Sequence, residues 1–417
     1  MKIALVCPFN MLDRPGGVPL FVHNLAEGLR KRGHTVKIIT QRTGSFKGEP
    51  PKGYILLGST MTFKTSGFGT EGNWGKPADS DEIARVLKEE NFDVINFHEP
   101  WMPMLAWQMV KHSKSAHVGT FHANLMDTAA GKVWTNKLFT PYGRPLLRKM
   151  DIFTATSPVA AGMLIKRADF DSAHERWMIE NIRYIPLGVD LGFYKPIKKR
   201  QPLSGPGTKT IVYIGRQEKR KGVNYLLEAF GLIEKESPDT HLIMGGAGIM
   251  TKKLKQYAQT EGLKNVTFTG YLSEAEKLRL IQNADVACYP SPYGEGFGIV
   301  LLEAMAVGAP IIAGNNIGYS QVMKGHGRLG LVDPTAIKDF ANRLTVFLED
   351  AEVRRSMSSW ALNEIKKYDY PRVVQEYEKV YRDAIELKQN GHKAKIAAID
   401  NEKSRKFIRR LLVRRHA

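Results

Sequence analysis

The chain switches between two periodicities, and it does so in two separate rounds. Residues 2–7 (KIALVC) form a short apolar run that predicts a buried strand. After a PGGV turn at 15–18, Val18, Phe21, Val22, Leu25 and Leu29 recur at helical spacing, and Gly33 behind a basic triplet predicts where that helix stops. Further short runs near 36–40, 54–57, 93–98 (DVINFH), 117–121 (HVGTF), 152–155 and 182–185 are separated by helical patterns. Strands that alternate with helices imply a parallel sheet covered on both faces.

The rhythm breaks at 193–208, where Pro, Gly and Lys dominate as in a linker between domains. It then restarts. TIVYIG (210–215) predicts a strand, and Val223, Leu226, Leu227, Phe230 and Ile233 form a helical stripe. HLIMGG, VTFTG, DVACYP and PIIAG predict four more buried strands up to residue 314. The expected fold class is α/β, with two doubly wound domains, 1–192 and 209–370, facing each other across a cleft. Residues 371–390, opening on Pro371, predict a further helix, and 391–417 a basic tail. A chain of 417 residues is long enough for two full cores. In such sheets ligands collect beyond the carboxyl ends of the strands, so the cleft is the expected active site.

Composition narrows the function classes. The two cysteines, Cys7 and Cys288, sit in apolar runs, which excludes a disulfide scaffold and a four-cysteine zinc site and fits a reducing compartment. No apolar stretch reaches the ~18 uncharged residues of a membrane-spanning helix. The opening MKIALVCPFN reads as a first core strand rather than a signal peptide. The net charge of +19 points to a polyanionic partner: nucleic acid, an anionic membrane or a phosphorylated substrate, with plain solubility as the alternative.

The densest chemical signal is SPYGEGFGIVLLEAMAVGAP, 291–310. Glycines 294, 296 and 298 let backbone approach a ligand, and the apolar run from Phe297 predicts a buried helix whose first N–H groups are free for an anion or hydroxyl. Glu295 precedes that helix and Glu303 lies inside it. A buried ionised carboxylate needs donors. Ribose hydroxyls would supply them; the alternative is a cap or a pairing with Lys or Arg. GRQEKRKG (215–222) directly follows a strand, so Arg216, Lys219, Arg220 and Lys221 crowd its carboxyl end, where cations can clamp a diphosphate or simply be solvated. Gly16 and Gly17 at the first strand–helix turn also suit phosphate. His98 in NFHEP and His122 in GTFH stand at strand ends. The sequence lacks H-E-x-x-H, G-x-S-x-G and the P-loop, the full dinucleotide fingerprint is absent at the first strand–helix turn, and the D-x-D at 169–171 reads as surface. No metal site is expected.

Together EGFGIVLLE, an E-x7-E motif, GRQEKRKG, PGGV and GTFH resemble the family-4 retaining glycosyltransferases of GT-B fold, built from two Rossmann-like domains. CPFNMLDRPGGV, NFHEP and IPLGVD look most like the phosphatidylinositol mannosyltransferases within it. The resemblance covers roughly residues 1–390. It implies that Arg216 and Lys221 hold the donor diphosphate, with the amides of Gly16 and Gly17 nearby. It places Glu303 on the ribose, Glu295 with the Gly296–Phe297–Gly298 backbone on the transferred sugar, and His122 against that sugar. Arg220 would face a phosphate on the acceptor, and TGYLS (269–273) would lie near the base. The implied catalytic set is Glu295, His122, Arg216 and Lys221, with no bound metal. The implied donor is GDP-mannose or a UDP-sugar, and the implied product is a hexosylated lipid such as phosphatidylinositol. The helix at 371–390 would return to the first domain.

A lipid acceptor has separate support in the tail. Its 27 residues carry nine Lys or Arg against two Asp or Glu. In KFIRRLLVRR, Phe407, Ile408, Leu411 and Leu412 share one helical face while Arg409, Arg410 and Arg414 fall elsewhere, although Arg415 interrupts the apolar side. Such a segment can rest on an anionic bilayer, at ~1 kcal/mol per basic residue near the surface; the alternative is a solvated tail. The expected location is cytoplasmic, peripheral on the inner face of the membrane. No nucleic acid is expected, since no RNA-binding module accompanies the charge. The rival readings are a transferase with a soluble or polysaccharide acceptor, a nucleotide-sugar epimerase on the same fold, and a binding module without catalysis.

Overall fold

Strand β1, Lys2–Val6, lies inside a sheet because its apolar run is continuous: Ile3, Ala4 and Leu5 are all fully buried. In the computed structural model of the protein the described residues are 1–391 without 10, 13–15, 44–45, 66–69, 103, 123–145 and 163–172, and without the side chains of 61–75 and 173–175. The D-x-D at 169–171 and all but the first residue of the basic tail lie outside them.

β1 pairs in parallel with β2 (Thr35–Arg42) on one side and β5 (Val94–His98) on the other. The sheet continues through β3 (Tyr54–Thr65) and β4 (Thr70–Gly75) at one edge, and through β6 (Ala116–Phe121), β7 (Ile152–Ala155) and β8 (Arg183–Tyr184) at the other, in the order β4-β3-β2-β1-β5-β6-β7-β8. One pair departs from the parallel expectation. The strand expected at 54–57 runs on to Thr65 and folds back antiparallel onto β4, with Thr60 opposite Gly75. The sequence there, STMTFKT and TEGNWG, has no continuous apolar run to announce it. It forms a sheet edge, the usual place for an antiparallel addition.

The second sheet is parallel throughout its described pairs: β9 (Lys209–Ile214), β10 (Thr240–Gly245), β11 (Val266–Gly270), β12 (Val286–Tyr289), β13 (Ile311–Gly314) and β14 (Leu331–Val332), in the order β11-β10-β9-β12-β13-β14. Each sheet reverses its strand order once, between β1 and β5 and between β9 and β12. A crevice opens at such a reversal, beyond the carboxyl ends of the strands.

The halves are joined twice. Residues after Phe193 pack on the second sheet's helices: Arg200 donates to the carbonyls of Ala284 and Gly308 at 3.2 and 3.1 Å. The chain then crosses back at Asp369, whose neighbours Tyr368 and Tyr370 bracket Val189 with backbone hydrogen bonds of 2.9 and 3.2 Å. The Tyr370–Gln389 helix lies on the first domain. Its Tyr370, Val373, Val374, Tyr377 and Tyr381 share one core with Phe21, Val22 and Leu25 of the Gly17–Lys31 helix. Side chains buried this fully contribute roughly 1.5–3 kcal/mol each. Polar ties add register: Asn96 donates to the Tyr381 hydroxyl at 2.8 Å, and Arg32 Nε to Glu378 at 2.5 Å.

Glu378 makes this docking pH-dependent. Hydrogen bonds from Arg382 and Arg32 lower its carboxyl pKa from 4.5 to about 2. A depressed carboxylate contributes stability that is present above its unfolded value and lost as pH falls through its folded one. Glu378→Gln is therefore expected to lower the melting temperature at neutral pH by about a few degrees. The gap to the unaltered chain should close between the ordinary carboxylate range and about pH 2, which a pH series of thermal melts measures.

Candidate functional site

The basic turn after β9 is pressed into place by a glycine. Lys219–Lys221 form one turn of 3-10 helix, and Gly222 follows at φ 67°, where a Cβ would stand 2.0 Å from the Pro290 carbonyl oxygen. Only glycine fits, and its absent side chain brings the basic turn against the loop that leaves β12. There Glu295 is buried, and one oxygen, Oε1, accepts from Lys221 Nζ at 2.7 Å, Arg220 Nη1 at 3.0 Å and Ser291 Oγ at 3.0 Å. Burial pushes the Glu295 carboxyl up, but Lys221 and then Arg220 outweigh it and hold it below the ordinary range. Glu218 completes the cluster, with Arg216 Nη1 at 2.9 Å and Arg220 Nε at 3.3 Å. Arg216 is half exposed, at 51% of its side chain, so it can meet a ligand from solvent. Three cations against two carboxylates leave the cluster one positive charge in excess.

The expected buried helix is present as Ile299–Ala306. It starts at Gly298, whose φ of 109° and whose contact with the Tyr319 ring, 2.6 Å from a Cβ placed there, again admit only glycine. Phe297 is buried edge-on to Tyr368, ring centroids 5.8 Å apart. Glu303, inside the helix, accepts from Lys277 Nζ at 2.8 Å and the Tyr194 hydroxyl at 3.2 Å. Burial raises its carboxyl above the ordinary range, against the pull of Lys277.

On the first domain, Gly16 caps the Gly17–Lys31 helix, and His122 follows directly on β6. Both His98 and His122 are buried, joined Nδ1 to Nε2 at 2.9 Å, with Phe21 edge-on to the His122 ring. The His122 backbone N–H donates to Glu99 at 2.7 Å. Burial lowers the His122 pKa to about 3, so the imidazole is neutral and offers hydrogen bonds rather than charge.

The two domains touch at this place. Ser157, just beyond β7, donates to the Gly296 carbonyl at 2.6 Å, and a Cβ on Gly17 would lie 3.9 Å from Ile299. The structure thus gathers Arg216, Arg220, Lys221 and Glu295 into one charge cluster. It sets Gly296–Gly298 against the first domain and Gly17 beside the Ile299 helix start. Arg220, expected toward the acceptor, shares the Glu295 oxygen with Lys221, and Glu303 stands apart with Lys277. Ser157, Ser291, Glu218, Tyr194 and Lys277 had not been singled out from sequence; Ser291, four residues before Glu295, and Glu218, inside the basic turn, carried a positional signal. Among the described residues no group of three His, Cys, Asp or Glu clusters as a metal site, and no helix is long and apolar enough to cross a membrane. A hollow at the β7–β8 edge, lined by Phe153, Trp177, Arg183 and Asp383, contains none of these groups.

Two facing doubly wound domains with this cleft define the GT-B class of glycosyltransferase folds. Residues 15–193 match the model for Glycosyltransferase Family 4 and residues 195–363 that for Glycosyl transferases group 1. Among curated proteins, the phosphatidyl-myo-inositol mannosyltransferase of Mycolicibacterium smegmatis is 30% identical over 91% of this chain and 93% of its own. That of Mycobacterium tuberculosis is 28% identical over 95% of this chain and 100% of its own. The chain therefore belongs to the family-4 glycosyltransferases of GT-B fold. Among solved structures, sucrose-phosphate synthase from Thermosynechococcus elongatus matches with a TM-score of 0.72 at 21% identity, covering 91% of this chain and 98% of that one. Anabaena HepE in complex with UDP-glucose matches with a TM-score of 0.71 at 18% identity, covering 92% and 100%.

The charge cluster makes its own prediction. Removing one partner of a buried ion pair leaves the other uncompensated, at a typical cost of about 3–5 kcal/mol. Glu295→Gln should lower the melting temperature by several degrees. Pyrophosphate, which can replace the lost charge, should raise the melting temperature of Glu295→Gln more than that of the unaltered chain. A thermal-shift titration of both proteins with pyrophosphate measures the difference.

Proposed function

We propose that the protein moves a hexose from a nucleoside-diphosphate sugar to an anionic membrane lipid, with retention at the anomeric carbon, and that GDP-mannose and phosphatidylinositol are the pair to test first. The observation that carries the reading is the buried Glu295 carboxylate shared by Lys221 and Arg220, on a loop the opposite domain also grips. The names of the mycobacterial relatives support mannose and phosphatidylinositol; the UDP-glucose in HepE leaves a UDP-sugar as the competing donor.

When the bond from the anomeric carbon to the diphosphate breaks, the diphosphate gains negative charge and the sugar ring positive character. Arg216 and Lys221 neutralise the diphosphate, helped by the amides of Gly16 and Gly17 at a helix start. Fixed charges stabilise the transition state without reorganising, which is where most of the rate is gained. Glu295 and the Gly296–Phe297–Gly298 backbone hold the sugar, with the neutral His122 imidazole against it. Glu303 takes the ribose hydroxyls. The acceptor hydroxyl attacks the face the diphosphate leaves, and a phosphate oxygen takes its proton, so no protein base and no metal ion is needed. Arg220 meets a phosphate on the acceptor, and the basic tail holds the enzyme at the inner face of the cytoplasmic membrane.

The test is product formation by the full chain on phosphatidylinositol vesicles with GDP-mannose. The reading expects mannosylated lipid by mass spectrometry, one GDP released per transfer, and a rate lowered about 10²- to 10³-fold by Lys221→Ala. Rearranged sugar nucleotide without transfer, or transfer to water-soluble acceptors alone, contradicts it.

A further inference from the structure

Ser157 has a place that the donor reading leaves unused. It stands just beyond the end of β7 (Ile152–Ala155) in the first domain and is 2% exposed. Its hydroxyl accepts from the Ala160 N–H at 3.1 Å, which leaves its one proton directed at the Gly296 carbonyl, 2.6 Å away in the second domain. The stretch it holds, Gly294–Gly298, has glycine at three of its five positions and few side chains with which to lock itself. A peptide unit is planar, and in the trans form its C=O and N–H point in opposite directions. Anchoring the Gly296 oxygen on Ser157 therefore aims the Phe297 N–H away from Ser157. One residue earlier, Glu295 is held from the other side by Lys221 and Arg220.

We propose that Ser157 is a positioning residue for sugar transfer, a latch through which contact between the two domains sets the Gly294–Gly298 loop in its working conformation. The proposal rests on the reading of this loop as the grip on the transferred sugar. It separates two steps that a binding residue would join. Arg216, Arg220, Lys221 and Glu303 all belong to the second domain, so the side chains read as holding the nucleotide are placed without the latch. Transfer requires the loop to be set, and a misplacement of about 1 Å at a reacting centre costs on the order of 10²-fold in rate.

The experiment measures two quantities on the full-length chain: the affinity for GDP and UDP by calorimetry, and kcat and KM for transfer from the matching sugar nucleotide. Ser157→Ala removes the donor; Ser157→Cys fills nearly the same space with a weak one and carries the test if the alanine variant is too unstable to purify. The expected result is a kcat lowered about 10- to 100-fold with nucleoside-diphosphate affinity and donor KM within about twofold of the unaltered chain. Ser157→Thr, which keeps the hydroxyl, should recover most of the loss. A kcat unchanged in both the alanine and cysteine variants overturns the proposal. So does a loss of nucleoside-diphosphate affinity in step with kcat, since Ser157 would then act through the stability of the whole protein. An unaltered chain that binds neither GDP nor UDP overturns the nucleotide-sugar reading itself, and the latch with it.

Discussion

The carboxylate of Glu295, buried with Lys221 and Arg220 on a single oxygen, is the interaction around which the site is arranged. An isolated ionised carboxylate in such a place would cost many kilocalories. Its cations offset that cost, and in doing so they are fixed just beyond the carboxyl end of β9. Held charge of this kind rarely adds stability over an apolar core, because desolvation consumes most of the Coulombic gain. What it provides is geometry: two positive groups at set positions, with the buried Glu218 linking Arg220 to the half-exposed Arg216. The glycines serve the same end. Gly222 brings the basic turn against the β12 loop, and Gly298 lets the Ile299–Ala306 helix start beneath Tyr319.

The rest of the fold brings a second surface to that array. Each sheet reverses its strand order once, and the residues of the candidate site stand at or beside those reversals: Gly16 after β1, His98 at the end of β5, Arg216 after β9 and Glu295 after β12. The chain keeps the two crevices together by crossing over at Asp369 and burying a tyrosine-rich helix on the first domain. The Ser157–Gly296 hydrogen bond ties the two domains directly beside the Glu295 loop.

Much of the architecture was legible because burial leaves a periodic trace. Val223, Leu226, Leu227, Phe230 and Ile233 read as a helix and are all buried in one. The β3–β4 hairpin left no trace of that kind, since an edge pair rich in Thr and Gly needs no apolar run. The site was legible where chemistry is written in neighbours along the chain. Glycines beside Glu295, and lysine and arginine after β9, singled out both segments, although the pairing of the glutamates with lysine and arginine stood only as the alternative to ligand hydroxyls. It was illegible where partners meet only through the fold. Lys277 belongs to no motif yet pairs with Glu303 at 2.8 Å, and Ser157 is 139 residues from the carbonyl it holds. Even within the motif, sequence could not say that Arg220 and Lys221 would share one oxygen, because that depends on how Gly222 docks.

The most direct measurement is a crystal structure of the protein with a nucleoside diphosphate bound. This account requires the β-phosphate to lie within hydrogen-bonding distance of both Arg216 and Lys221, with Lys221 drawn off Glu295 to meet it and Glu303 on the ribose. A pyrophosphate bound elsewhere, with the Lys221–Glu295 contact still at 2.7 Å, would contradict the account at its centre.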